Sequence, residues 1–316
     1  FAQATMATRT ASGLVLNDLA AKMPELIGGS ADLGPSNKTE LTGLGSFLPL
    51  SPKGRNMHFG IREEAMGAVV NGLAVYQGLR PYGATFMAFS DFLRPAVRLS
   101  ALMGARAIYI FTHDSVGVGE DGATHQPVEQ LAALRIIPRL TVARPADANE
   151  TAVLWLEAIK LNGPVAFVLS RQDLLVLNPE EYPAVLTGPQ KGGYVLSEAD
   201  GEPEAIVLAT GSEVSLALSA QKLLKGQKRV RVVSLPSWEI FERQSQSYKD
   251  GVLLPNLDKR LAVEAGLSIG WERYLGPKGQ MISVEDFGHS APAAILFAEL
   301  GFTPENVAAR VLSLFA

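Results

Sequence analysis

Residues 112–127 combine side chains suited to acid–base chemistry with glycines that favour a loop. Two of the four histidines, His113 and His125, stand near its ends, and three acids, Asp114, Glu120 and Asp121, lie between them. Imidazole gains or loses a proton near neutral pH, and carboxylates accept hydrogen bonds from hydroxyl groups. This segment, called the histidine loop below, is a candidate site. The alternative is a solvated loop whose histidines only cap nearby backbone.

The apolar run at residues 107–111 comes just before the histidine loop and predicts a buried strand. Open α/β sheets bind ligands at the carboxyl ends of their strands. We therefore expect the histidine loop to lie at such an edge.

Glu63 and three phenylalanines have structural explanations that follow from residue type and spacing alone. Glu63 opens a segment with helical periodicity, where an acid also favours the helix dipole. Phe86, Phe89 and Phe92 are spaced by three, so they can share one face of a helical turn. From residue types alone, three aromatic rings on one face usually indicate a core.

A guanidinium group donates to two oxygens at once, which suits phosphate. Taken singly, Arg9 and Arg171 are more often surface ion pairs, and Ser30 is more often a turn residue.

The composition limits the classes of function. A length of 316 residues suits about two domains, and 47% hydrophobic with 19% charged residues is typical of a globular protein. The net charge of -4 and the lack of a basic run argue against nucleic acid as a partner. No apolar run approaches the ~20 residues of a membrane span, so we expect no membrane partner. The absence of cysteine excludes disulfides and thiolate chemistry and is compatible with the cytoplasmic location we expect.

Apolar runs alternate with helix-period segments, which predicts an α/β fold. Residues 177–191 are rich in turn-forming residues and lack periodicity, so they are interpreted as a linker. The prediction is two consecutive domains, 1–176 and 192–316, each a mainly parallel sheet flanked by helices.

The elements follow from the periodicity of the apolar residues. Helices are predicted at 63–77, 94–103, 128–134, 149–160, 215–224, 293–300 and 305–314. Strands are predicted at 107–111, 140–143, 165–169, 205–209, 230–235, 261–264 and 281–284. Asp147 or Asn149 is expected to cap the fourth helix and Ser212 the fifth, while Gly104 ends the second.

Six segments of the first domain, in order, resemble one family. They are Ala-Thr-Arg (7–9), Gly-Gly-Ser-Ala-Asp-Leu (28–33), Gly-Ile-Arg-Glu (60–63), Thr-Phe-Met-Ala-Phe (85–89), residues 113–125 of the histidine loop, and Leu-Ser-Arg-Gln (169–172). Together they strongly resemble the pyrimidine-binding domain of transketolase. The second domain resembles the Rossmann-like transketolase C-terminal domain through Gly-Gly-Tyr-Val (192–195), Ala-Thr-Gly-Ser-Glu-Val (209–214), Arg-Val-Val-Ser-Leu-Pro (231–236) and Gly-Phe-Thr-Pro (301–304).

The resemblance implies a transferase of the pentose phosphate pathway. Its members move a two-carbon ketol unit from a ketose phosphate to an aldose phosphate, using thiamine diphosphate and Mg²⁺ or Ca²⁺. The cofactor carries the difficult chemistry, and the protein orients it. A homodimer formed through the pyrimidine-binding domain is also implied.

The same resemblance assigns roles to site residues. Glu63 matches the carboxylate that hydrogen-bonds the cofactor's aminopyrimidine ring and activates it. Phe89 matches the ring that stacks on the pyrimidine, with Phe86 and Phe92 lining the pocket. Phe92 stands where tyrosine is expected in the family, which removes a hydroxyl group.

The sugar phosphate would contact a further set of matched residues. Arg9, Ser30, His113 and Arg171 match its phosphate binders. Asp121 would recognise a substrate hydroxyl, and His125 would bind the transferred unit or move a proton.

One expected motif is missing. The family holds the diphosphate and metal through a Gly-Asp-Gly motif in a preceding domain, and no such motif occurs here. We therefore expect a C-terminal half, either a split-gene subunit or a shortened product, with no metal ligands and little activity until an N-terminal domain or subunit joins it. The alternatives are a deoxyxylulose-phosphate synthase, an oxo-acid dehydrogenase β chain, a formaldehyde-using transketolase, or a non-catalytic dimerisation or regulatory module.

Overall fold

The computed structural model of the chain describes residues 1 and 3–316 as two α/β units. The helices are α1 (Thr8–Lys22), α2 (Gly34–Asn37), α3 (Glu63–Tyr76), α4 (Ser90–Met103), α5 (Gln130–Arg135), α6 (Ala148–Lys160), α7 (Glu213–Leu223), α8 (Trp238–Glu242), α9 (Gln246–Leu253), α10 (Glu272–Leu275), α11 (Ala293–Glu299) and α12 (Pro304–Ser313). The strands are β1 (Thr5–Met6), β2 (Leu26–Ser30), β3 (Asn56–His58), β4 (Arg80–Phe86), β5 (Ile108–Thr112), β6 (Thr141–Ala143), β7 (Val165–Leu169), β8 (Leu174–Leu175), β9 (Tyr194–Ser197), β10 (Ala205–Ala209), β11 (Val230–Ser234), β12 (Arg260–Val263) and β13 (Gln280–Ile282).

The first unit is built on a six-stranded sheet in the order β3-β2-β4-β5-β7-β6, with every neighbouring pair parallel. Successive residues of a strand face opposite sides, so β5 sends Tyr109 and Phe111 into one core and Ile108 and Ile110 into the other. Burial on both faces explains why β5 is apolar throughout.

The second unit is a five-stranded sheet in the order β13-β12-β10-β11-β9. Only β9 is antiparallel to its neighbour. Its central strand β10 is fully buried between two apolar cores. The predicted fold class, two mainly parallel sheets flanked by helices, is confirmed.

The predicted helices and strands are all present, with shifted boundaries. Gly104, at φ +66°, ends α4 as expected, and the Asp147 side chain caps α6 by accepting from the Glu150 N–H. The start of α4 was predicted wrongly, since the helix begins at Ser90 rather than 94. Ser212 was expected to cap α7, but its side chain accepts no capping bond from the described residues, and its hydroxyl donates to the neighbouring Glu213 carboxylate.

Within the described part of the chain, no helix has both the length and the apolar character to cross a membrane.

Candidate functional site

The candidate site lies at the carboxyl edge of the six-stranded sheet. Ser30, Phe86 and Thr112 are the last residues of the adjacent strands β2, β4 and β5. Phe86 pairs directly with Thr112 across the sheet. The histidine loop starts at this edge, as expected from the strand that precedes it.

His113 is held in an uncommon backbone conformation, with φ +63°. Few residues other than glycine adopt this region, and such strain is concentrated at functional sites. The conformation lays the imidazole on the Phe86 ring, with the ring centroids 3.6 Å apart. His113 is only 3% exposed. The histidine loop is therefore not the solvated loop of the alternative interpretation at this end.

Burial and the positive charges of Arg9 and Arg171 lower the pKa of His113 to about 3, with a smaller contribution from His125. Each of these effects disfavours the charged imidazolium. His113 is therefore neutral near pH 7 and carries a proton on only one ring nitrogen.

Arg9, in the first turn of α1, faces His113. Its Nη1 donates to the Ser36 carbonyl at 2.7 Å and lies 3.5 Å from the imidazole Nε2 of His113. Its Nε is buried with no hydrogen-bond partner among the described residues. Burial and then Arg171 lower the pKa of Arg9, and Asp173 partly offsets them.

The strand pair β1–β8 explains why the two arginines meet although they are far apart in the chain. Thr5 pairs with Leu175, which brings the segment before Arg9 beside the segment after Arg171. Arg171 itself is exposed. The result is a positively charged pocket edge lined by a neutral imidazole.

The three phenylalanines form a row that leads out of this pocket. The Phe86 and Phe89 rings are stacked, with centroids 5.9 Å apart and planes 10° apart, and Phe92 follows at 6.3 Å from Phe89. The three phenylalanines were expected to share one face of a helical turn, but they do not. Phe86 ends β4, Phe89 lies in a 3₁₀ turn and Phe92 in α4, and exposure rises to 63% at Phe92.

Glu63 is the first residue of α3 and is 7% exposed. The Thr85 hydroxyl donates to its Oε1 at 3.3 Å, which ties the carboxylate to the residue before Phe86. Its Oε2 accepts no hydrogen bond from the described part of the chain. A nearly buried carboxylate with spare acceptor capacity can bind a ligand N–H group.

His125 and Asp121 occupy the far end of the histidine loop. The His125 ring lies 5.4 Å from the Phe89 ring, so it faces the aromatic row. Asp121 is exposed, and its side chain has no hydrogen bond to described residues.

The second unit supports this end of the histidine loop. The Gln126 amide donates to the carbonyls of Gly119 (2.7 Å) and His289 (2.9 Å). The Ser290 hydroxyl donates to the Glu120 carbonyl at 2.6 Å. Asp121 and His125 are thus carried by a loop that both units hold.

Ser30 does not present a free hydroxyl. Its proton is donated to the Ala84 carbonyl at 3.0 Å, and its oxygen accepts from the Asn37 amide at 2.6 Å. The serine that contacts Arg9 is Ser36, through its carbonyl. Sequence reasoning missed Ser36, Asn37 and Thr112, and the Pro-Ser-Asn turn at 35–37 was the only available signal for the first two.

Two family models match the sequence. The model described as transketolase, pyrimidine binding domain, covers residues 4–175, and the transketolase-like C-terminal domain covers residues 192–303. Transketolase from Geobacillus stearothermophilus is 53% identical over 313 residues, which are 98% of this chain and 47% of that protein. The chain spans about half the length of the curated relatives it matches.

Solved structures of transketolases are also similar to this chain. Transketolase from Pichia stipitis in complex with sedoheptulose-7-phosphate is similar over 99% of this chain and 46% of its own, with 42% identity and a TM-score of 0.93. A structure described as split gene transketolase, inactive beta4 tetramer, covers 98% of each chain, with 26% identity and a TM-score of 0.76.

Proposed function

This chain belongs to the transketolase family, and we propose that it is the C-terminal half of an enzyme that moves a two-carbon ketol unit from a ketose phosphate to an aldose phosphate. The observation that carries the proposal is the joining, at one sheet edge, of a buried carboxylate, an aromatic row and a pocket of arginines around a neutral His113.

The residues present fit thiamine diphosphate. Glu63 offers a free carboxylate oxygen for a pyrimidine nitrogen, Phe89 offers a half-exposed stacking face, and Phe86 and Phe92 line the same row. The cofactor supplies the nucleophilic carbon that takes up the ketol unit. Glu63 would hold and orient its pyrimidine ring, in a setting where little water reaches the carboxylate.

The positive pocket fits the phosphate of a sugar. Arg9 brings an N–H group to which the described part of the chain offers no acceptor, and Arg171 adds a second positive charge near His113. The complex of the Pichia stipitis relative with a sugar phosphate supports this class of ligand. We assign Asp121 to a substrate hydroxyl, and His125, beside the aromatic row, to the transferred unit or a proton. Ser30 would act only through its neighbours.

We propose that activity needs an N-terminal domain or subunit, which would also supply the diphosphate and metal ligands (Mg²⁺ or Ca²⁺). This chain covers only 47% of its 53%-identical relative. The related split-gene structure, whose chain has the same extent as this one, is described as inactive. The division into domains 1–176 and 192–316, the linker 177–191 and a cytoplasmic location remain part of this proposal.

An exposed apolar stripe supports a homodimer through the first unit. On α3 the exposed residues after Glu64 are Ala65, Ala68, Val69, Gly72, Val75 and Tyr76, at spacings of three and four. On the adjacent α4, Phe92, Leu99, Leu102 and Met103 are also exposed. Water-facing helices are normally polar, so an apolar stripe marks a surface for a partner.

The test is a ketol-transfer assay from xylulose 5-phosphate to ribose 5-phosphate, with thiamine diphosphate and magnesium. We expect no turnover from this chain alone, and turnover after the N-terminal half of the Geobacillus stearothermophilus relative is added. Glu63→Gln should abolish the restored activity, while Glu64→Gln, at the exposed neighbouring position, should keep most of it. Turnover by this chain alone, or full activity of Glu63→Gln, would contradict the proposal.

A further inference from the structure

A buried row of hydrogen bonds leads away from His113 across three strands. The imidazole Nδ1 lies 2.8 Å from the Thr112 hydroxyl oxygen. That oxygen lies 2.6 Å from Asn37 Oδ1, and Asn37 Nδ2 lies 2.6 Å from the Ser30 hydroxyl oxygen. The row ends at the Ala84 carbonyl, 3.0 Å from the same serine oxygen. Thr112 and Asn37 are fully buried, so water does not interrupt the row.

The direction of every bond follows from the last group. The Ala84 carbonyl can only accept, so Ser30 donates to it and must accept from Asn37. Asn37 therefore turns its amide nitrogen toward Ser30 and its carbonyl toward Thr112. Thr112 donates its single hydroxyl proton to that carbonyl, so its oxygen can only accept from His113. The contact with His113 therefore requires a proton on Nδ1.

The opposite side of the ring leads to the same assignment. The guanidinium of Arg9 faces Nε2 at 3.5 Å and can only donate. A proton on Nε2 would turn two N–H groups toward each other. The series of hydrogen bonds ends at the Ala84 carbonyl, which only accepts, and the other side of the imidazole faces the Arg9 guanidinium, which only donates. Both neighbours require a lone pair on Nε2 of His113.

We propose that Asn37 and Thr112 are positioning residues that hold His113 as its Nδ1–H tautomer and so present the Nε2 lone pair to the anion pocket. The assignment of that pocket to the sugar phosphate rests on the proposed function, whereas the tautomer does not.

Only a neutral imidazole has a choice of tautomer, and burial among positive groups keeps His113 neutral. The left-handed backbone of His113 places its ring where both nitrogens have fixed neighbours. A hydrogen-bonded neighbour commonly selects the tautomer of a functional histidine.

The test is a nitrogen-15 NMR measurement of histidine ring nitrogens in this chain. The four histidines give few signals, and His113→Gln identifies those of His113. We expect the Nδ1–H tautomer in the unmodified chain. Because Arg9 by itself also disfavours a proton on Nε2, the Thr112 variants are made in an Arg9→Gln chain. There Thr112→Val removes the acceptor at nearly constant shape and should shift His113 toward Nε2–H, while Thr112→Ser should restore Nδ1–H.

Thr124→Val is the matched control, because the Thr124 hydroxyl lies 2.9 Å from His125 Nδ1 at an exposed position. It should leave the His113 signals unchanged. An Nε2–H tautomer in the unmodified chain, or an unchanged tautomer in a folded chain that carries both Arg9→Gln and Thr112→Val, would overturn the proposal. If the Thr112→Val change prevents folding, the spectrum of the unmodified chain still shows which tautomer His113 adopts and so still tests the proposal. A failed ketol-transfer assay, by contrast, would overturn the proposed function and leave the tautomer intact.

Discussion

Arg9 is the residue where the phosphate proposal can be tested directly. Its Nε has no hydrogen-bond partner in residues 1 and 3–316, and its Nη1 faces the Nε2 of His113, so a bound phosphate would supply the missing acceptor. A hydrogen bond to a charged group is worth about 1.5–3 kcal/mol, and each 1.4 kcal/mol is about tenfold in binding. In the reconstituted enzyme, Arg9→Gln should raise KM for ribose 5-phosphate by roughly 10- to 100-fold, with a much smaller change in kcat.

The same variant should leave KM for an unphosphorylated aldehyde acceptor nearly unchanged. Arg106→Gln, at the opposite edge of the sheet, is the matched control and should change neither KM. An equal rise in KM for both acceptors would mean that Arg9 holds the fold of the pocket rather than the phosphate.

Sequence reasoning at this scale finds residues whose chemistry is distinctive and misses those whose role comes from position. Glu63, Arg9 and His113 could be selected because charge and imidazole chemistry are visible in a sequence. Asn37 could not, because an asparagine after a turn is ordinary. Its importance comes from reaching Ser30 on β2 and Thr112 on β5 at once, and strand order is not visible in the local pattern.

At the scale of elements, β4 shows why apolar patterns cannot find every central strand. It pairs with β2 and β5 and is buried throughout, yet it begins Arg-Pro and contains Gly83. A Cβ at Gly83 would come within 3.3 Å of the Met66 and Val70 side chains, so α3 packs closely against the strand at this point. The residues of β4 are thus chosen for close packing against α3 rather than for an apolar pattern. Because β4 was not predicted, the placement of Phe86 on a strand, Phe89 in a turn and Phe92 in a helix was not predicted either.

The outward face of α3 leads to a prediction about assembly. Val69 lies within the apolar stripe and is 41% exposed. If the stripe is the dimer surface, Val69→Lys would bury an unpaired charge there and should weaken association by at least tenfold. Light scattering coupled to size-exclusion chromatography should report a dimer for the unmodified chain and a monomer for the variant at micromolar concentration.

Leu223→Lys is the matched control for this measurement, because Leu223 is an exposed apolar residue on α7 of the second unit. It should leave the dimer intact. A monomeric unmodified chain, or a dimer that survives Val69→Lys, would place the interface elsewhere.

At the scale of the whole molecule, charged groups buried between the two units hold the histidine loop. Arg144 is fully buried, and its Nε donates to Asp114, the residue after His113, at 2.9 Å. Its Nη1 donates to Glu213 and Thr210 of the second unit. Removing Arg144 would leave the carboxylates of Asp114 and Glu213 buried without a positive partner, in surroundings that solvate charge poorly. The position of His113 therefore depends on the second unit as well as on its own sheet.

A second buried contact between the units predicts how stability changes with pH. Glu150, on α6, is fully buried and accepts from the hydroxyls of Tyr194 (2.8 Å) and Ser234 (2.6 Å) in the second unit. Burial, with a smaller effect of the Asp147 carboxylate, raises the pKa of Glu150 from 4.5 to about 7, although the hydrogen bonds partly offset them. The folded chain then binds this proton more tightly than the unfolded chain does.

The sign of the effect follows from linkage. Below pH 4.5 both states are protonated at Glu150, and the stabilising effect of its high pKa is fully present. As pH rises through 7 the folded state must ionise a buried carboxyl group, and about 3 kcal/mol of stability is lost from this residue. Glu150→Gln cannot ionise, so its free energy of unfolding, taken relative to that of the unmodified chain, should increase by about that amount between pH 5 and pH 8. Urea denaturation at both pH values measures the difference, with Glu180→Gln, at an exposed position, as the control. A difference between Glu150→Gln and the unmodified chain that does not change with pH would mean that Glu150 is already ionised in the folded protein at pH 5.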